Sequence, residues 1–417
     1  MSFTRRDLLS RGALLVAAGL TVPSFISRTA MAMGPATSAA GKQAKILVAL
    51  QLSGGNDGIN TLVPYGQQSY YDLRPTLAIP ADSVLSLTDK VGLHPELTGL
   101  KDLFDAGHLA VIQGVGYPNP NRSHFRSMDI WHTARPESFE LSGWLGRYLD
   151  ACSCSQGEAM PGISVGDQLN GLFWTDTTLV PAVASVGAFS YQTDSKYKND
   201  RDSQLKTLKN IYAQAGHWTP YDQLIRRGTM AALSGSDELM RVAGSYQTPV
   251  TYPANNGLAN QLKMVAQVIA GNLGTRLFSL QLGGFDTHSA EKDAHTKLMA
   301  QLSEGLTAFW QDLAHLNRQD DVMVMTFSEF GRRAAQNGSA GTDHGTAEPM
   351  FVLGGNVKGG LYGSYPSLED LDGNGDIKFN ADFRSVYAGV LRDHLGADAV
   401  KVLGGAFDPV ALVTAAA

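Results

Sequence analysis

The sequence predicts an α/β protein with a doubly wound, mostly parallel central sheet and helices on both faces. Three observations carry this. Apolar runs of strand length, at 46–52, 109–112, 277–282 and 322–327, alternate with stretches of helical periodicity. The runs are nearly continuous in apolar residues, as expected of strands covered on both faces. Most of them lead into glycine-containing loops that carry polar side chains, where open α/β sheets bind ligands.

The 417 residues can bury a large core. Hydrophobic residues make up 43% and charged residues 17%, which is ordinary for a globular chain. The formal net charge is -6, and no run of Lys and Arg interleaves with aromatics, so nucleic acid is excluded as an expected partner. Near the start, Arg5-Arg6 precedes a mildly apolar stretch from Gly12 to Val22 and then Ala30-Met31-Ala32. That order reads as a secretory signal of the twin-arginine type over residues 1–32. It implies a bacterial, exported, periplasmic protein that meets the twin-arginine translocase on its way out. No later stretch reaches about 20 apolar residues, so no permanent membrane span is expected. Cys152 and Cys154 are the two cysteines, and C-x-C reads as a surface pair of thiols or a strained bridge.

Residues 33–44 form a flexible lead-in rich in Gly, Ala, Ser and Thr, and a single domain is expected over 45–417. The run Ile46–Leu52 predicts a central strand. It opens into Ser53-Gly54-Gly55-Asn56-Asp57-Gly58, where Asp57 is a ligand or an Asx turn. Leu97, Leu100, Leu103 and Phe104 are spaced for a helix that Gly107 stops. The strand at Leu109–Ile112 follows, and strand–helix–strand order argues for a right-handed crossover. The loop Gly116–Phe125 should start a helix near Ser123. A serine there is an N-cap, and it also stands where helix N–H groups hold anions.

Residues 127–254 read as a cap or insertion of helices and long loops. Periodicity returns at Leu258, Leu262, Val265, Val268 and Ile269, closed by Gly271. After the strand at 277–282 come Asp286 and His288. A long helix is expected over 297–316, with Leu298, Leu302, Leu306, Phe309 and Leu313 on one stripe. The strand at 322–327 ends in Ser328-Glu329, and a Gly-rich loop delivers Asp343-His344. Met350–Leu353 predicts a further strand, and Phe383, Val386, Tyr387, Val390 and Leu391 a last helix. Asp370, Asp372 and Asn374 imitate the start of a calcium loop. Ala381 stands where such a loop needs its bidentate Glu, so a polar turn is expected.

The strand ends thus collect Asp57, Ser123, Asp286, His288, Glu329, Asp343 and His344. Carboxylates and imidazoles in this mix suit a divalent metal, and a metal beside a hydroxyl activates it.

The motifs Ser53–Gly58, Asn121–Phe125, Gly284–His288, Ser328–Arg332, Gly341–Gly345 and Gly354–Gly360 resemble those of the DUF1501 family of exported bacterial proteins. Through that family the chain is similar to the alkaline phosphatase and sulfatase superfamily, whose sites hold two metals beside a Ser or Thr nucleophile. The resemblance implies an alkaline-phosphatase-like fold and a hydrolase of phosphate or sulfate esters, acting on a small anionic substrate. It implies Ser123 as nucleophile, with His124 as acid or base. Asp57, Asp286, His288, Glu329, Asp343 and His344 would hold one or two ions of zinc, manganese or calcium, and Arg122, Arg126 and Asn56 would hold the substrate. Phe330 stands where the superfamily has a His. A non-catalytic binding or assembly protein that keeps the fold is the other expectation.

Overall fold

A computed structural model describes residues 44–152, 160–175, 178, 180–185, 198–213 and 219–414. The stretch 1–32, expected to be an export signal, and most of the lead-in lie outside them. The main sheet contains β1 (Ile46–Ser53), β2 (Leu109–Gly116), β3 (Gly162–Val165), β4 (Ala182–Val183), β5 (Leu277–Gly283), β6 (Val322–Phe327), β7 (Glu348–Gly354), β8 (Gly360–Tyr362) and β9 (Ala381–Asp382). Their order is β8-β2-β7-β6-β1-β5-β3-β4, with β9 also paired to β2. β1 lies parallel to both β5 and β6. β7 is the reversed strand, antiparallel to β6 and to β2. A second, three-stranded sheet joins Leu62–Val63, Gly92–Leu93 and Leu85–Ser86.

Helices cover both faces. α1 (Thr98–Asp105), α2 (His124–Thr133), α3 (Trp144–Ala151), α4 (Lys198–Ala213), α5 (Pro220–Ser245), α6 (Gly257–Ala270), α7 (Glu291–His315) and α8 (Phe383–Gly389) are the principal ones. Alternate residues of β1 feed opposite cores. Ile46, Val48, Leu50 and Leu52 pack with the stripes of α1, α6 and α7. Leu47 and Ala49 pack with α2, α3 and α8. A strand buried on both faces explains why its sequence is an apolar run rather than an alternation. Within 127–254, β3 and β4 extend the main sheet beyond β5, while α4 packs along α5. Cys152, at the end of α3, is disulfide-bonded; residues 153–159 lie outside the described ones. Among the described residues no helix is long and apolar enough to cross a membrane.

The long helix α7 begins six residues before the expected start. Its N-cap, Ala290, makes no side-chain cap bond. Tertiary contacts fix the start instead: Ala290 and Glu291 N–H donate to the carbonyls of Ser339 and Ala340. Periodicity could not reveal a helix end held by a loop 50 residues away.

β1, β5 and β6 run parallel, so Ser53, Gly283 and Phe327 reach the same end of the sheet. The loops that follow them meet there, and Gly54 is where they come closest. Its φ is +119°, and a Cβ on it would lie 2.4 Å from the backbone N of Asp286. Gly54→Ala should therefore cost about 2–4 kcal/mol from strain and displaced backbone. It should lower the urea midpoint accordingly; an unchanged midpoint would mean the two loops are not packed this closely.

Candidate metal centre

Three imidazoles and one carboxylate converge at this end of the sheet. His124 comes from the first turn of α2, Asp286 and His288 from the loop after β5, and His344 from the loop before β7. His288 Nε2 lies 2.9 Å from His344 Nε2 and 3.0 Å from Asp286 Oδ1. His344 Nε2 is 3.2 Å from the same oxygen. His124 Nε2 is 3.5 Å from Asp286 Oδ2. One ligand atom each from His124, Asp286 and His344 lies within 4.8 Å of the others. Donors about 2.0–2.1 Å from a common tetrahedral centre sit about 3.3 Å apart, so His124, Asp286 and His344 form a group that could hold a metal ion, with His288 against two of its members.

The other nitrogen of each ring is occupied. His124 Nδ1 meets Glu329 Oε1 at 2.9 Å, His288 Nδ1 meets Asp343 Oδ1 at 3.2 Å, and His344 Nδ1 meets the Arg122 carbonyl at 2.8 Å. All three partners can accept a hydrogen bond, so a proton on Nδ1 of each ring would leave an Nε2 lone pair turned toward the group. Carboxylate and carbonyl partners behind imidazoles are the usual outer layer of a metal site.

The acidic members are held in place. Glu329 is 1% exposed on its side chain, and its Oε1 also accepts from Gly54 N–H at 2.8 Å. Asp286 is half exposed, and its Oδ1 accepts from Arg332 at 2.8 Å. Slight burial pushes the Asp286 carboxyl up, but the Arg332 guanidinium and His344 hold it below the usual range. Asn337 holds Asp343 down in the same way. Burial lowers His344. Phe330, buried, packs its ring 4.5 Å from that of His344 and 4.9 Å from that of His124.

The structure brings Asp286, His288 and His344 together, with Glu329 and Asp343 behind them rather than among the converging donors. His124, expected as acid or base, points its ring into the group. Asp57 is corrected: its buried carboxylate is ion-paired to buried Arg74, away from the imidazoles. Asn56 is corrected too, being buried with Oδ1 bonded to Thr61 and His295. Neither arginine is free for an anion. Arg122 is engaged by Asp372 and Asp376, and Arg126 by Asp129 and the carbonyls of Pro136 and Ser138. The calcium-like stretch is a polar turn, with Asp372 Oδ1 accepting from the N–H groups of Asn374 and Asp376. Ser123 is the N-cap residue of α2, exposed, and its hydroxyl makes no cap bond.

Sequence reasoning missed Arg332 and the buried carboxyl Glu291. Arg332 lay inside a quoted motif, yet nothing in Arg332-Arg333 says which one is buried. Glu291 lies against Asp57. Burial and the Asp57 charge raise it, whereas Asp57, despite burial, is lowered by Arg74. Glu291 therefore carries the proton of the pair.

The profile of a family described as "Protein of unknown function (DUF1501)" matches residues 44–374. No curated protein matches the chain. Among solved structures, the chain is similar to a protein in the alkaline phosphatase superfamily from Vibrio parahaemolyticus, at 10% identity and a TM-score of 0.40 over 96% of this chain and 79% of that one. It is similar to the PsFucS1 sulfatase from Pseudoalteromonas sp., at 10% identity and 0.38 over 89% and 72%. It is also similar to the lipoteichoic acid synthase LtaP from Listeria monocytogenes, at 10% identity and 0.34 over 94% and 81%.

The buried groups set a pH profile for stability. Burial lowers His94 to about 3 and His132, His295 and His394 to about 4, so their contribution is full above about 6.5 and is lost as pH falls. Burial raises Glu291 and Glu348, so theirs is full at low pH and is lost as pH rises, for Glu291 up to about 9. Urea unfolding should show a stability maximum at about pH 6–7. Glu291→Gln should remove up to about 1.4 kcal/mol per pH unit from the alkaline slope. Equal slopes in wild type and variant would place the proton elsewhere.

Proposed function

The chain belongs to the DUF1501 family, whose description carries no activity, so we propose a function from the site itself. The protein is an exported, metal-dependent hydrolase of phosphate or sulfate esters. The observation that carries this is the meeting of His288 Nε2, His344 Nε2 and Asp286 Oδ1, with the two nitrogens 2.9 Å apart. With a proton on Nδ1 of both rings, the two nitrogens would repel unless a cation lay between them. A proton would serve two of the four donors; a metal ion would serve all of them.

His124, His288, His344 and Asp286 would hold the ion. Three imidazoles with one carboxylate favour zinc or manganese over calcium, which takes oxygen ligands. When bound, the ion supplies Lewis acidity at the ester oxygens. Glu329, Asp343 and the Arg122 carbonyl keep the rings in the ligating tautomer and orientation. Ser123, with its hydroxyl uncapped beside His124, is the nucleophile. The first-turn N–H groups of α2 point toward the same end and favour an anion there. The paired arginines and Ala-x-Ala of the first 32 residues support twin-arginine export to the periplasm.

One observation favours a second reading, a non-catalytic exported binding or assembly protein. Phe330 stands where the superfamily has a His, and its buried ring closes that position to a second ion.

Elemental analysis of the mature protein, purified without chelator, should find about one equivalent of zinc or manganese, lost in Asp286→Ala/His344→Ala. Ser123→Ala should keep the metal and lower kcat on p-nitrophenyl phosphate or sulfate by at least about 100-fold. A folded protein that stays metal-free after incubation with both ions would overturn the hydrolase; one that binds metal without turnover would support the second reading.

A further inference from the structure

A cavity of about 260 Å³ opens where β3 and β5 part. β3 pairs with β5 only over Gly162–Ser164 against 277–279, then leaves the sheet through Gly166 at φ +146°. β5 runs on to Gly283 with no strand on that side among the described residues. The exposed edge of Gln281 is satisfied by a side chain instead, Gln261, which both donates to and accepts from its backbone. The opening therefore lies at the carboxyl ends of two parallel strands, the position at which α/β sheets bind ligands. Gln281 precedes Asp286 by five residues, roughly 15 Å of extended chain.

The floor of the cavity is pre-formed. Ser164 and Ser279 are buried and bonded to each other at 3.2 Å. Ser164 Oγ also donates to the Gln168 carbonyl at 3.1 Å and accepts from Asn170 N–H at 3.0 Å, which fixes the loop that forms one wall. Above this floor stand Asp167, Gln168 and Gln281, all exposed. Their side chains make no hydrogen bond or ion pair with the described residues.

We infer that this cavity is a binding site for a neutral polyhydroxylated group, a sugar or polyol. A carboxylate accepts from neighbouring hydroxyls, and each amide both donates and accepts, so the three free side chains match a ring of hydroxyls. Among the described residues no Lys or Arg lines the cavity, and a carboxylate does, which disfavours an anion; Val165 and Leu280 are the only large apolar residues among them, which disfavours an acyl or aryl group. The volume, below the ~300–1,000 Å³ of pockets for drug-sized ligands, leaves room for one sugar-sized unit. Where the hydrolase reading above holds, and resting on it, the cavity receives the alcohol part of the ester.

The test is saturation-transfer NMR of the wild type with the methyl α-glycosides of glucose, galactose and mannose, at about 10 mM to allow for millimolar affinity. At least one should bind. Asp167→Ala/Gln281→Ala should weaken that binding at least about tenfold while leaving the urea midpoint unchanged, and Ser123→Ala should leave it intact. No binding of any glycoside, or binding unaffected by the double substitution, would overturn the inference. Glycoside binding without hydrolysis of any sugar phosphate or sulfate would leave this site standing and count against the ester hydrolase, so the two failures are distinguishable.

Discussion

The guanidinium of Arg332 holds the functional end of the sheet together. It is fully buried, and its N–H groups reach four carbonyls and one carboxylate: Gly54, Gly55, Phe285 and Thr342, and Asp286 Oδ1. These acceptors come from the loops after β1, after β5 and before β7. A buried charge is costly unless its hydrogen bonds are satisfied, and here a fixed planar fork satisfies them across three segments that share no strand. A lysine could not span them. The same contact aims Asp286, so the position of a donor in the candidate metal centre is tied to the folding of the loops around it.

A second buried pair does comparable work one layer further in. Arg74 binds Asp57 and the carbonyls of Arg333 and Ala334, and Glu291 lies against Asp57 while accepting from Thr342 Oγ1. Thr342 precedes Asp343 and His344. The start of α7, the loop after β1 and the loop carrying two of the site's side chains are thus joined through polar side chains that never reach solvent. Support of this kind fixes the backbone that carries Asp343 and His344.

Much of the fold was legible because its signals are local. Continuous apolar runs marked β1, β5 and β6, and the stripe from Leu298 to Leu313 marked α7. The reversal of β7 was not legible, because direction depends on which neighbours a strand finds rather than on its own residues. Asp286, His288 and His344 were legible as candidates because each follows a glycine-containing turn near a strand end. The error over Asp57 has a physical source. Its partner, Arg74, sits in an unremarkable stretch, and a carboxylate after a strand looks the same in sequence whether it faces an ion or a guanidinium. Arg122 misled for the same reason, since Asp376 lies 254 residues from it.

Phe330 shows how one apolar residue can set the capacity of a polar site. Its ring lies against both His124 and His344, and a Cβ on Gly55 would come within 2.3 Å of it. The phenyl group fills the space between the loop after β1 and the imidazoles, where a ligating side chain would need room and an acceptor behind it. Every imidazole in the cluster has such an acceptor, whereas the Phe330 ring is enclosed by packing on Gly55, His124 and His344. An apolar wall also lowers the local dielectric, which would strengthen the pull of His124, Asp286 and His344 on a cation held among them.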